Sequence, residues 1–104
     1  MIEHLSQRSP RWQDLDMAIT PEHYRKLERM YAAAPVNTFF EPTLRIDHAQ
    51  AEVQINVRRE FFHSAEAMHG VVYFKALDDS TFFAAQSVVA DYFVLTAHFE
   101  LDLL

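Results

Sequence analysis

A His-Gly pair, His69-Gly70, heads an apolar run that carries two acids, Asp78 and Asp79. A carboxylate among apolar neighbours costs free energy unless it is paired, hydrogen-bonded or exposed. The first turn of a helix leaves backbone N–H groups free to hold an anion or a polarised carbonyl. Together these residue types suit one kind of chemistry: a carbonyl polarised at a helix tip, with an acid or base two turns further in.

The elements that must position these groups are readable from the pattern. Residues 71–89 contain neither glycine nor proline and are apolar nearly all round, which predicts a long buried helix. Upstream, Thr20-Pro21-Glu22 predicts a helix start: a capping hydroxyl, proline in the first turn and an early acid. Tyr24, Leu27, Tyr31 and Ala34 follow at helical spacing, and Pro35 stops the run. Residues 43–47 and the strictly alternating 51–57 predict a hairpin turning at 47–50. Residues 1–19 read as an N-terminal arm with a short helix near 12–17, and 20–104 as one domain. Residues 93–104 alternate again, with Leu95, Ala97, Phe99, Leu101 and Leu103 on one side and Thr96, His98, Glu100 and Asp102 on the other. A long unpaired strand invites association, so this one is expected to be completed by further strands or by another chain.

Composition narrows the function classes. The chain has 104 residues and a net charge of −6, against a nucleic-acid binder, although Arg58-Arg59 remain as a local anion-holding pair. No stretch approaches the ~18 apolar residues of a membrane span, and the N-terminus lacks a signal-peptide pattern. There are no cysteines, which excludes disulfides and thiolate metal sites and fits a reducing cytoplasm. The six histidines form no His-x-His or i, i+4 pair, so no metal site is expected. No Gly-x-Ser-x-Gly turn accompanies them, which argues against a serine hydrolase.

The segments "MHGVVYFKALDDSTFFAAQS" and "FVLTAHFELDLL" resemble the PaaI-like acyl-CoA thioesterases of the hotdog superfamily. In that family a His-Gly(-Gly) opens the central helix and an Asp follows nine positions after the His, as Asp78 follows His69 here. The resemblance covers residues 40–104. It implies an α+β hotdog fold, an antiparallel sheet wrapped around one long central helix, preceded here by an N-terminal helix. It further implies an acyl-CoA or acyl-carrier thioester as substrate, no cofactor, and a homodimer or homotetramer. Asp78 would act as general base or nucleophile, with Gly70 and Val71 holding the carbonyl and His69 orienting the substrate. His63 would place water where the family has Asn; Phe74 and Thr96 would line the acyl site. In such dimers the Asp and the His-Gly loop come from different subunits. Asp79 is expected to be a solvated or cap-bonding neighbour. This sequence departs from the family in having His63 for Asn and Val71 for the second Gly, and the family continues with about three more strands. Two other readings stand beside it: a silent hotdog module that binds acyl thioesters or serves assembly, and a small α+β interaction domain unrelated to hotdogs. A hotdog sheet requires the strand at 93–104 to pair beside residues 51–57.

Overall fold

The computed structural model describes residues 19–103. The arm expected over 1–19 lies outside these except for Ile19, which packs against the core. The chain is a mixed α/β structure: α1 (Pro21–Ala32), α2 (Asn37–Phe40), β1 (Thr43–Asp47), β2 (Gln50–Gln54), a 3-10 turn (Arg59–Phe61) and α3 (Gly70–Gln86).

Helix α1 starts where the proline predicts, with Pro21 in its first turn. Thr20 precedes it in extended conformation, but its hydroxyl makes no capping bond; its carbonyl instead accepts from the His23 N–H. Tyr24, Leu27 and Tyr31 form the buried stripe, joined by Ile46 of β1 and Phe83 of α3. Tyr31 and Phe83 meet edge to face at 5.0 Å. The helix ends at Ala32, so Ala34 and Pro35 fall in the following turn.

The two strands form the expected antiparallel hairpin, with Leu44 opposite Val53 and Ile46 opposite Ala51. Helix α1 closes the outer edge of β1. Glu28 accepts the Ile46 N–H at 2.9 Å, and Arg25 donates to the Ile46 carbonyl at 2.9 Å while also holding Glu28. An edge whose polar groups are taken by side chains no longer templates another strand. At the hairpin tip Ala49 adopts a left-handed φ of 55°, and its N–H donates to the fully buried Ser87 hydroxyl at 2.8 Å. The tip is thereby fastened to the end of α3.

Helix α3 lies against the hairpin through buried Phe83, which joins Ile46, and buried Val72, which shares a cleft with Val53, while buried Gln86 bonds the segment that follows the helix. Its other flank is open: Val71, Phe74 and Leu77 are 41–48 % exposed. The composition predicts a helix buried nearly all round, and the structure departs from that expectation. The reason lies in the sheet, which among the described residues has two strands and covers one side only. Residues 93–103 join no sheet among the described residues. They run on without a turn or bend along the open flank, antiparallel to the helix. Thr96 bonds Asp78, Phe99 stacks edge-on against Phe74 at 4.9 Å, and Leu103 sits over Gly70. Among the described residues the expected pairing of this segment beside 51–57 does not occur, and no sheet wraps the helix.

Candidate functional site

The residues singled out by sequence fall into two groups on α3. The first lies at its N-terminus. An isolated bridge between Phe62 and Met68 closes a small loop, and the His69 N–H donates to the Phe61 carbonyl at 2.8 Å. The loop brings His63 and His69 together, ring centres 6.3 Å apart. Each imidazole Nδ1 accepts a backbone N–H two residues on: Ala65 to His63 at 3.0 Å, Val71 to His69 at 2.9 Å. His69 is thus the N-cap of α3. This bond uses the Val71 N–H, one of the donors expected to hold a carbonyl. Gly70 has no unusual backbone angle. A Cβ there would stand 2.9 Å from the Leu103 Cδ1, the tip of an exposed side chain that can turn aside.

The second group lies at mid-helix. Asp78 is half-buried, and its Oδ1 accepts from the Thr96 hydroxyl at 2.9 Å. Asp78 and Thr96 form a wall shared by two clefts. One, about 230 Å³, is lined by Thr81, Phe82 and Ala85 of α3 and by residues 94–99. The other, about 330 Å³, runs toward Asn37, Lys75 and Asp79. Asp78 lies eight positions after Gly70. At the helical rise of 1.5 Å per residue that is about 12 Å, too far for both to serve one carbonyl within one chain.

Asp79 is not a solvated neighbour. It accepts the Tyr31 hydroxyl at 2.6 Å and the Lys75 ammonium at 2.7 Å, with both charged side chains at most 20 % exposed. Lys75 also lies over the rings of Tyr31 and Phe40, at 5.4 and 5.1 Å. Burial, then the Asp79 hydrogen bond and charge, push the Tyr31 phenol well above its usual range. The i, i+4 spacing of Lys75 and Asp79 was the available signal; the part played by Tyr31 from another helix had none. Asn37 was also missed. Its amide donates to the Tyr31 carbonyl at 2.7 Å, and its buried Oδ1 has no hydrogen-bond partner among the described residues.

No protein-family model, curated protein or solved structure matches this chain. No group of three or more His, Asp or Glu residues suited to a metal occurs among the described residues, and no described helix is long and apolar enough to cross a membrane. Arg58 and Arg59 do not stand ready for an anion. Arg58 donates to the Phe39 carbonyl and lies 4.6 Å over the Phe61 ring, and Arg59 is 3.9 Å from Glu66.

Proposed function

We propose that this chain is a hotdog-type subunit of an acyl-thioester hydrolase, acting on acyl-CoA or an acyl carrier as a homodimer or homotetramer. The observation that carries the reading is Asp78: a half-buried carboxylate, oriented by Thr96, facing a cleft and bonded to no cation among the described residues. Such a carboxylate can accept a proton from water as the water attacks a thioester carbonyl. The developing oxyanion is held at the N-terminus of an α3 helix, where the dipole favours negative charge. Collapse expels the thiolate, which takes up the proton and leaves a carboxylic acid. The ~12 Å between Gly70 and Asp78 supports giving these two roles to different copies of the chain. The cysteine-free composition fits a reducing cytoplasm as the place of action.

The test is hydrolysis of an acyl-CoA panel of varied chain length. Asp78→Asn keeps shape and removes basicity, and is expected to lower kcat/KM by about 10²–10⁴-fold with the fold intact by circular dichroism. Full activity in that variant, or no turnover on any chain length by folded protein, overturns the reading.

One observation favours a second reading, a non-catalytic subunit that binds acyl thioesters or serves assembly. The Val71 N–H is already given to His69, so the helix tip has one donor fewer for an oxyanion. Saturable binding of a non-hydrolysable acyl-CoA thioether, without turnover of the matching thioester, would select it. The small α+β interaction domain shares the two-stranded sheet and predicts neither binding nor turnover.

A further inference from the structure

Two imidazoles hold the entry to α3, and both do so with a lone pair. His63 Nδ1 accepts the Ala65 N–H at 3.0 Å, and His69 Nδ1 accepts the Val71 N–H at 2.9 Å. A ring nitrogen that accepts carries no proton, so both rings are neutral with the proton on Nε2. An imidazolium has two N–H donors and no acceptor. Each bond therefore exists in one protonation state only. A Ser or Asn N-cap accepts at any ordinary pH and has no such dependence. Both histidines are exposed, so protons reach them freely. The loop between them is already under load: Glu66 takes a left-handed φ of 65°, which costs free energy in a residue with a Cβ.

We infer that His63 and His69 form an acid-released latch on the start of α3. Charging both rings sets two like charges side by side, with centres 6.3 Å apart. It also sets a cation at the positive end of the α3 dipole, where His69 is the N-cap. The ionisable groups on the surrounding elements are Arg59, Glu60 and Glu66 of the turn and loop, Tyr73 of α3, and Asp102 beside Leu103. Among the described residues none of them is bonded to either ring, and Glu66 lies 3.9 Å from Arg59 instead. No carboxylate therefore holds an imidazolium in place. As pH falls through the range in which histidine takes up a proton, about 8 to 5, both acceptors are lost and the rings turn away. The Ala65 and Val71 N–H groups are released, the latter at the helix tip. The Phe62–Met68 bridge and the His69 N–H to Phe61 bond use no imidazole, so the base of the loop stays closed. Stability contributed by the latch is complete while the rings are neutral and is lost on acidification. The inference goes beyond the proposed chemistry and does not depend on it.

Nitrogen and proton NMR of the full chain reads both ends of each bond. At about pH 8 the His63 and His69 rings are expected to show a bare Nδ1 and a protonated Nε2. On acidification to about pH 5 the Ala65 and Val71 amide protons should move upfield, each in step with its own imidazole. In His69→Asn the Val71 signal should stay fixed, because an amide oxygen caps without titrating, while Ala65 still moves. In His63→Asn the pattern should reverse. Urea midpoints read the energetic side. Between the same two pH values the wild type should lose more than the double variant His63→Asn with His69→Asn. A proton on Nδ1 of His69 at the higher pH overturns the inference. So does a Val71 signal that fails to move in the wild type, or that moves as far in His69→Asn, or an equal acid loss in the wild type and the double variant. No acyl substrate is used, so this outcome is separate from the fate of the thioesterase reading.

Discussion

Two adjacent carboxylates on α3 have opposite tasks. Asp78 faces a cleft and, among the described residues, is bonded only by a hydroxyl, while Asp79 is tied to Lys75 and Tyr31 between the helices. Removing one partner of a buried pair leaves the other charge uncompensated. Asp79→Ala is therefore expected to cost about 3 kcal/mol in urea unfolding, against little for Asp78→Ala. Equal losses would show that Asp79 is no tie. Tyr31 adds a pH signature. Its phenol is held protonated in the fold, so above the ordinary tyrosine value of about 10 the unfolded chain releases a proton that the folded chain keeps. Stability contributed by Tyr31 is complete below that pH and falls as pH rises above it. Unfolding measured at pH 8 and pH 10.5 should show a smaller alkaline loss in Tyr31→Phe than in the wild type. An unchanged loss would sink this assignment.

The same contrast between local and distant causes runs through the elements. The N-terminus of α3 rests on His69, whose Nδ1 accepts the Val71 N–H. Loss of an N-cap costs about 1 kcal/mol. His69→Ala should lower the urea midpoint by that amount and His69→Asn should recover it; equal midpoints for all three would mean that the bond contributes nothing. Helix α1, the hairpin and α3 were legible in the sequence because each follows from its own residues: proline at Pro21, alternation over 51–57, and a run of seventeen helical residues without an interior breaker. Asp78 with Thr96 was legible as a pair of candidates, and the structure brings them into contact. The rest depended on what lies across from an element. Thr20 has a capping side chain that does not cap, because the backbone carbonyl is used instead. Residues 93–103 alternate like a strand, but alternation does not supply a neighbour to pair with. Asp79 could not be separated from Asp78 by sequence, since its role is set by Tyr31, 48 residues earlier.

At the scale of the whole molecule, one side of α3 is finished and the other is not. The buried core is one cluster around Tyr24, Leu27, Tyr31, Ile46 and Phe83, all on the hairpin side. On the far side Val71, Phe74, Leu77 and Leu95 stay open, Leu95 at 86 %. A contiguous exposed apolar flank on a small domain marks an association surface. If a second copy covers it, folding and association are linked, and stability depends on protein concentration. A hundredfold rise in concentration should then stabilise the folded dimer by about 2.7 kcal/mol and raise the thermal midpoint by several degrees. Leu77→Glu should flatten that dependence by placing a charge on the open flank, while leaving the hairpin-side core untouched. A wild-type midpoint that does not move with concentration would mean that the open flank of α3 is tolerated in a single chain. The segment at 93–103 would then serve only to shield Asp78 and Phe74, with no partner strand required.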